Sequence, residues 1–316
     1  MNKSKAPKMP PLIIDNRFVV DCKETVKLFT TFFCKQCTPI LTNSVLPPLT
    51  YKTDKRIHQI PISINDIIPL ICKLNPNKVT GYDGISSQML LLCGESAALP
   101  LKIIFKNIVI TGIYPGIWKL ANVTPIHKKN DKQILKNYRP ISLLPIFSKI
   151  FEKIIFNRLY DFLNTNNLIT KNQSGFRPAD STTNQLLDLI DTIHHSFDAC
   201  PTLEVRAVFM DISKAFDKVW HDGLIFKLKQ NGVSGSLLSF LENYLRERKQ
   251  RFVLNGSTAE YEDIKSGVPQ GSVLGPLLFL IYINDLKVNI QSQIRFFADD
   301  TMLFSIVSIQ LFPPMY

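Results

Sequence analysis

Cysteine is scarce in this chain of 316 residues, and its six copies are scattered. Cys34 and Cys37 have the spacing of half a zinc site, but no second Cys pair or His pair follows at a suitable distance. The pattern argues against a zinc finger and against a disulfide framework. Free thiols in a reducing compartment are the expected state.

Long hydrophobic runs are missing as well. The longest apolar stretch, residues 273–283, contains Pro276 and is shorter than the roughly 20 residues that span a bilayer. It is predicted to belong to a buried helix over residues 273–288. The basic start, Met1 to Lys8, is not followed by an apolar run, so no signal peptide is visible. We therefore expect no membrane partner.

Acidic residues are too few to balance the basic ones, with 26 Asp and Glu against 37 Lys and Arg and a net charge of +11. This excess predicts an anionic partner, nucleic acid first and a membrane surface second. A solvated basic face explains the charge equally well. The basic residues cluster as Lys119, Lys128, Lys129, Lys132, Lys136, Arg139, Lys149 and Lys153, and as Arg246, Arg248, Lys249 and Arg251.

Hydrophobic periodicity outlines a mainly helical first half and a sheet-centred second half. A long helix is predicted within residues 141–163, with apolar residues at helical spacing. Ser63 or Asn65 is predicted to cap one helix and Ser181 another. A helix-like start is also predicted around Asp217.

Two adjacent carboxylates interrupt an apolar run, Ile294 to Phe304. The pattern predicts strand, tight turn and strand, with Asp299 and Asp300 at the turn. Such a pair suits a hard divalent cation, although a solvated Asp turn is the commoner outcome. Asp211 ends a β-branched run that is predicted to be a buried strand; it is either a helix N-cap or a third carboxylate. Two metals about 4 Å apart between such acids perform nucleotidyl transfer.

Three blocks carry a family resemblance. Residues 211–217 (Asp-Ile-Ser-Lys-Ala-Phe-Asp), 266–276 (Ser-Gly-Val-Pro-Gln-Gly-Ser-Val-Leu-Gly-Pro) and 297–300 (Phe-Ala-Asp-Asp) resemble core motifs of a reverse transcriptase in order and interval. The non-LTR, LINE-like retrotransposon class is the most similar. Tyr138-Arg-Pro-Ile-Ser and Phe-Ala-Asp-Asp point away from intron maturases, telomerase and viral RNA polymerases. Further support comes from the blocks 81–85, 137–143 and 173–178.

The resemblance implies an α+β fold with the fingers and palm of a right-hand polymerase and an antiparallel palm sheet packed by helices. We expect an N-terminal extension and linker over residues 1–60, a fingers-like, largely helical region over 61–200 and the palm over 201–316. The reverse transcriptase domain is expected over about 110–316. Family members continue with a primer grip and a thumb, so the chain is expected to be truncated before the thumb and to lack an endonuclease domain.

The resemblance also implies the site residues for the metal. Asp211, Asp299 and Asp300 correspond to the catalytic acids that hold Mg²⁺, for which Mn²⁺ is a possible substitute. The backbone carbonyl of Ile212 is a further expected oxygen ligand. The nucleophile in the family is the primer 3′-hydroxyl, so no protein nucleophile is expected.

Four residues are implied in nucleotide binding. Phe216 corresponds to the steric gate that selects deoxynucleotides, and Gln270 to the residue against the incoming nucleotide. Lys128 and Arg139 are expected to contact the triphosphate, as a point charge and a bidentate fork. The simpler alternatives are core packing for Phe216, a plain turn at Gln270, and Lys129 in place of Lys128.

The function implied is that of an RNA-directed DNA polymerase, which adds dNTPs to the 3′-hydroxyl of a DNA primer on an RNA template. Arg177 and Gly271 are the expected template or primer contacts. An intracellular location, nuclear or cytoplasmic, follows from how the family copies RNA. The alternative is a catalytically inactive, basic nucleic-acid-binding remnant of such an element.

Overall fold

The computed structural model describes residues 9–38, 45–199 and 203–308. The described residues form nine α-helices and ten strands, an α+β arrangement. The helices are α1 (Cys22–Gln36), α2 (Ile64–Cys72), α3 (Ser87–Cys93), α4 (Ala98–Thr111), α5 (Ile146–Thr165), α6 (Thr182–Ala199), α7 (His221–Gln230), α8 (Gly235–Leu245) and α9 (Leu274–Ile283). The strands are β1 (Leu12–Ile14), β2 (Arg17–Val19), β3 (Leu120–His127), β4 (Tyr138–Leu143), β5 (Leu203–Asp211), β6 (Arg248–Leu254), β7 (Ser257–Thr258), β8 (Glu262–Ile264), β9 (Gln293–Phe297) and β10 (Asp300–Ser308).

Three strands form an antiparallel sheet in the order β5-β10-β9. The hairpin of β9 and β10 is the predicted strand-turn-strand, but Asp300 was wrongly placed in the turn. The turn is Ala298 and Asp299, because Asp300 already pairs with Phe297 as the first residue of β10. β10 also pairs with β5 along its whole length, and the register places Asp300 directly opposite Asp211. The sheet therefore brings the two acid motifs together although they are far apart in sequence.

A second sheet has the order β4-β3-β6, and both β7 and β8 pair with β6. β3 runs parallel to β6 and antiparallel to β4. α1 covers this sheet through aromatic packing: Phe29 and Phe33 stack on Phe252 of β6 with ring centroids 5.4 and 5.3 Å apart. The Phe252 N–H also donates to the hydroxyl of Thr30. The first helix is thus packed into the fold.

The largest core lies among α4, α5, α8 and α9. Phe151 of α5 contacts Phe105 of α4 and Phe240 of α8, with centroids 5.1 and 5.3 Å apart. α9 is apolar around its whole circumference and almost every residue in it is buried, as expected for a helix enclosed by other elements. The predicted caps are present, since Ser63 and Ser181 accept from backbone N–H groups at the starts of α2 and α6.

The prediction that Asp211 ends a buried strand is wrong. β5 is not a buried strand, because residues 206–211 are exposed and Phe209 is 77% exposed. The described residues give β5 one strand neighbour, β10, so it lies at the edge of its sheet. The helix-like start predicted around Asp217 is present as a single 3₁₀ turn, Phe216–Lys218, and α7 starts at His221.

The predicted helix over 273–288 is too long, since α9 ends at Ile283. Asn284 is a poor helix former, and its side chain is committed elsewhere. Its amide donates to the Leu168 carbonyl and accepts from the Thr170 N–H. These contacts tie the end of α9 to the loop after α5.

One apolar stretch bears on the expectation that the chain has no membrane partner. Ser87–Thr111 is long and apolar enough to cross a membrane by length and composition. It is two helices, α3 and α4, separated by a 3₁₀ turn at Gly94–Ala97. Leu101 and Phe105 of α4 are buried in the core, whereas Leu92 and Ile103 are exposed. A single stretch of this kind is weak support for a membrane span, since core helices share the same composition.

Candidate active site

Three acidic residues lie where β5, β9 and β10 come together. Asp211 is the last residue of β5 and Asp300 is the first of β10, and both are exposed. Asp299 lies in the turn and is half-buried; its carbonyl accepts from the Ile212 N–H at 3.4 Å. Residues directly opposite in an antiparallel pair point to the same face of the sheet. The backbone therefore presents Asp211 and Asp300 side by side.

These side chains are of the chemical type that binds a divalent cation. Carboxylate oxygens are preferred ligands of Mg²⁺ and Mn²⁺. No ion pair within residues 9–38, 45–199 and 203–308 involves Asp211, Asp299 or Asp300. Over the same residues, no group of three or more His, Cys, Asp and Glu side chains is arranged to hold a metal. The strands bring the acids together, but the side chains do not form a ready-made three-ligand cluster.

A buried glutamine supports the acid turn, and sequence reasoning missed it. The Gln173 Oε1 accepts from the Ala298 N–H at 2.9 Å and from the Gly175 N–H at 2.7 Å. Its Nε2 donates to the Ala298 carbonyl at 3.4 Å. The block 173–178 stood out by resemblance, but the sequence holds no signal for a partner this far along the chain.

The loop over residues 266–272 is fastened to the turn that follows β5. The N–H groups of Gly267 and Val268 donate to the carbonyls of Val219 and Phe216, each at 2.8 Å. A Cβ on Gly267 would lie 2.8 Å from the Phe216 carbonyl oxygen, and its φ is +91°. Glycine is therefore required for this close approach.

The same loop is fastened to β4 on its other side. The Ser142 N–H donates to the Gln270 carbonyl at 2.8 Å. A Cβ on Gly271 would lie 2.7 Å from the Ser142 carbonyl oxygen, and its φ is +106°. The loop thus connects β4 with the turn that follows β5. A plain turn at Gln270, the simpler alternative, would not need these contacts.

The Gln270 side chain has a defined partner, Asp217. The Gln270 Nε2 donates to the Asp217 Oδ1 at 2.9 Å, and the Asp217 carbonyl accepts from the Ser266 hydroxyl. Asp217 is 8% exposed, and this burial raises the pKa of its carboxyl; the hydrogen bond from Gln270 and the charge of Lys214 act in the opposite direction. The sequence analysis assigned Asp217 no role.

Phe216 is half-buried between two other aromatic rings. It stacks on Phe279 of α9 with centroids 4.8 Å apart, and it meets Phe176 edge-on at 5.7 Å. The packing role considered for Phe216 is therefore present. Its contact with a nucleotide sugar stays a prediction.

Lys128 and Arg139 lie near each other across the β3–β4 pair. Arg139 pairs with Ile126 in the register, and the Lys128 N–H donates to the Asn137 carbonyl. Both side chains are exposed, as is that of Lys129. The structure brings the two predicted phosphate contacts to one edge of the second sheet and does not decide between Lys128 and Lys129.

The Arg177 side chain is hydrogen-bonded to neighbouring residues of its own loop and of the end of α5. Its guanidinium donates to the Thr170 carbonyl at 3.3 Å and the Gln173 carbonyl at 3.5 Å, and to the Asn164 side chain at 3.3 Å. These contacts brace the segment that carries Gln173. The predicted template contact of Arg177 stays a prediction.

Glu152 is a second supporting residue that the sequence analysis missed. It is fully buried on α5 and its Oε2 accepts from the N–H groups of Val273 and Leu274, at 2.7 and 3.1 Å. Its Oε1 accepts from the Ser148 hydroxyl at 2.8 Å. Glu152 therefore fixes the start of α9, directly after the Gln270 loop.

Comparison with known proteins identifies the kind of chain this is. The model of the reverse transcriptase (RNA-dependent DNA polymerase) family matches residues 126–307, more than half of the chain. The chain is 36% identical over 227 residues to the probable RNA-directed DNA polymerase from transposon BS of Drosophila melanogaster, covering 72% of this chain and 25% of that protein. It is 33% identical over 246 residues to the corresponding protein from transposon X-element of the same organism, covering 76% and 27%.

A third relative is the RNA-directed DNA polymerase from mobile element jockey of Drosophila melanogaster, 33% identical over 230 residues, with 72% of this chain and 25% of that protein covered. The chain belongs to the reverse transcriptase family. Within that family it falls in the LINE-like, non-LTR branch, as its motifs predicted. It spans about a quarter of the length of these curated relatives.

Proposed function

We propose that this chain carries the polymerase site of an RNA-directed DNA polymerase, which extends a DNA primer with dNTPs on an RNA template. The observation that carries the proposal is the register of β5 and β10, which sets Asp211 opposite Asp300 with Asp299 in the adjoining turn. Nucleotidyl transfer uses acidic residues that two different motifs place together at the same end of a rigid sheet.

Asp211, Asp299 and Asp300, with the Ile212 carbonyl, hold the divalent ions in this proposal. Mg²⁺, or Mn²⁺ in its place, supplies there the positive charge that activates the primer 3′-hydroxyl and stabilises the transferring phosphoryl group. The protein contributes carboxylates that form no ion pair with any residue the structure describes, on strands held by paired backbone. Reverse transcriptases as a family use divalent ions, and the choice of Mg²⁺ is part of the proposal.

The nucleotide lies, in this proposal, between the Gln270 loop and the β3–β4 edge. Lys128 and Arg139 bind the triphosphate, Gln270 faces the nucleotide and its template base, and Phe216 excludes a 2′-hydroxyl. The fastening of the loop to β4 and to the β5 turn supports this placement. Arg177 and Gly271 are assigned to template and primer.

The wider organisation follows the family. The sheet of β5, β10 and β9 belongs to a palm over residues 201–316, and the β3–β4 edge to fingers over 61–200, after an extension over 1–60. RNA template, DNA primer and dNTPs are the partners, inside the cell, in the nucleus or the cytoplasm.

A second candidate is a catalytically inactive nucleic-acid-binding remnant. The observation in its favour is that the described acids form no ready-made three-ligand cluster. The net charge of +11 suits either candidate. The two differ in whether the bound primer is extended.

Primer extension on poly(rA)/oligo(dT) with dTTP and Mg²⁺ tests the proposal. Wild type adds nucleotides, while Asp211→Asn and Asp299→Asn lose extension by at least about a hundredfold and still bind the duplex. Asp161→Asn, an exposed carboxylate on α5, is the matched control and extends like wild type. Binding without extension by wild type supports the inactive remnant instead.

A further inference from the structure

Ala298, the residue directly before Asp299, has an unusual backbone conformation. Its φ is +57°, in the left-handed region that non-glycine residues rarely adopt. Ala298 is 6% exposed and starts the turn between β9 and β10. A conformation of this kind persists where surrounding contacts hold it. The orientation of the next carboxylate, Asp299, depends on it.

Gln173 supplies those contacts from a distant part of the chain. It is 2% exposed, and its amide bonds both backbone groups of Ala298, accepting from the N–H and donating to the carbonyl. A buried amide that serves only to fill space is costlier than an apolar side chain of the same size. Because one amide bonds both the N–H and the carbonyl of Ala298, it fixes the rotation of the peptide groups on either side of this residue.

The segment that carries Gln173 is itself locked against β9. The Phe296 N–H donates to the Asn172 carbonyl at 2.8 Å, and the Ser174 N–H donates to the Phe296 carbonyl at 3.0 Å. A Cβ on Gly175 would lie 2.1 Å from the Ala298 nitrogen, so this position admits glycine alone. The segment cannot shift without breaking these bonds, and Gln173 is rigid relative to the turn.

We propose that Gln173 is a positioning residue for Asp299. Its amide holds Ala298 in the left-handed conformation and thereby fixes where the Asp299 carboxylate points relative to Asp211. This inference rests on the proposed function, because the carboxylate's task is to bind a divalent ion. Gln173 itself touches neither metal nor nucleotide.

The test compares variants that alter the amide with a control on the neighbouring residue of the same segment. Gln173→Met keeps the length of the side chain and loses both bonds to Ala298. Gln173→Glu keeps an acceptor for the Ala298 N–H and loses the donor to its carbonyl. Asn172→Ala is the matched control: it removes a bond to the Ile294 carbonyl of β9 at 2.7 Å and leaves Ala298 untouched.

Two readouts are measured on each full-length variant. The first is Mn²⁺ affinity, followed by electron paramagnetic resonance with poly(rA)/oligo(dT) bound. Gln173→Met weakens Mn²⁺ binding about tenfold, as loss of a group that orients a metal ligand does. Gln173→Glu weakens it less, and Asn172→Ala stays within about twofold of wild type. The second is hydrogen exchange at the 298–300 amides, which accelerates in Gln173→Met and not in Asn172→Ala.

Equal Mn²⁺ affinity in Gln173→Met and Asn172→Ala overturns the inference, even where both melt below wild type. If Gln173→Met does not fold, Gln173→Glu against Asn172→Ala decides by the same criterion. A wild-type protein that binds no Mn²⁺ overturns the proposed function instead. Hydrogen exchange then decides whether Gln173 holds the turn.

Discussion

Asp217 is a buried carboxylate that gives Gln270 one orientation. An ionised carboxylate only accepts hydrogen bonds, so the Gln270 Nε2 is committed to the Asp217 Oδ1 at 2.9 Å. The other end of the amide, Oε1, is left as an acceptor for a ligand. This arrangement turns a flexible side chain beside the proposed nucleotide site into a group with a defined polarity.

Replacing Asp217 by Leu is predicted to raise the KM for dTTP about tenfold, since a hydrogen bond to a charged group contributes about 1.5 kcal/mol. Asp217→Asn, which retains an acceptor, stays within about threefold of wild type. Steady-state primer extension at varied dTTP measures both. A change in kcat alone, with an unchanged KM, would count against orientation of Gln270.

The buried Asp217 also predicts a pH dependence of stability. Its pKa is raised above the ordinary 3.8 in the folded state, chiefly by burial, so the folded chain binds this proton more tightly than the unfolded chain. The free energy of unfolding therefore falls as pH rises from about 3.8 through the raised pKa.

Asp217→Asn removes this titration, so between about pH 4 and 7 the free energy of unfolding, measured in urea, is predicted to fall less or rise more with pH in the variant than in wild type. The difference between the two profiles isolates Asp217 from the other acids. Parallel profiles would show that Asp217 does not titrate differently in the two states.

Individual residues show where sequence reasoning succeeds and where it stops. A sheet was predicted to bring Asp211 to the Asp299–Asp300 pair, and the register of β5 and β10 does set Asp211 opposite Asp300. Their use as metal ligands stays a prediction. The roles of Gln173 and Glu152 were not predictable. Each acts through bonds to residues more than a hundred positions away, which no local pattern encodes.

The start of helix α9 is held by a buried carboxylate of another helix in addition to its own Ser272, whose hydroxyl accepts from the Gly275 N–H at 2.9 Å. Glu152 of α5 accepts from the N–H groups of Val273 and Leu274, at the positive end of the α9 dipole. The Tyr114 hydroxyl bonds to Ser148, which donates in turn to Glu152. One side chain therefore links α5, α9 and the segment before β3.

Glu152→Leu is predicted to lower the free energy of unfolding by about 3 kcal/mol, because two backbone donors and a hydroxyl lose their buried acceptor. Glu152→Gln retains one oxygen and loses about half as much. Urea unfolding measures both. Asp161→Ala, exposed on the same helix, is the control and changes stability by less than about 0.5 kcal/mol. An equal loss in Asp161→Ala would assign the effect to helix α5 alone.

Helices were easier to predict than strand burial for a physical reason. α5 was recognised because its buried residues, such as Ile150, Ile154 and Leu159, repeat at helical spacing, and that pattern is local. β5 has the composition of a buried strand, yet Val208 and Phe209 are exposed. Burial of a strand depends on what packs on the sheet, which the strand's own residues do not specify.

Some residues of the two basic clusters are buried or already paired with carboxylates, so they are not available to bind an anion. Lys119 is buried and pairs with Glu247, and Arg248 is buried with its guanidinium bonded to backbone carbonyls. Arg246 is exposed but pairs with two carboxylates. Fewer of the clustered basic residues are therefore free to bind phosphate than the sequence suggested.

The turn between β3 and β4 groups several basic residues that are exposed. Its residues Lys128, Lys129, Lys132, Lys136 and Arg139 are exposed, and none of them is in an ion pair within the described residues. A nucleic-acid backbone bound at this turn would release counterions.

Removing three of these charges is predicted to reduce the salt dependence of duplex binding. For Lys129, Lys132 and Lys136 all changed to Ala, the slope of log K against log salt for poly(rA)/oligo(dT) becomes shallower by roughly 2 to 3, since each phosphate contact contributes about 0.9. Filter binding between about 50 and 300 mM salt, without dTTP, measures the slope. Arg246→Ala, whose charge is already neutralised by two carboxylates, leaves the slope unchanged. Equal slopes for wild type and the triple variant would place the nucleic-acid backbone on another surface of the protein.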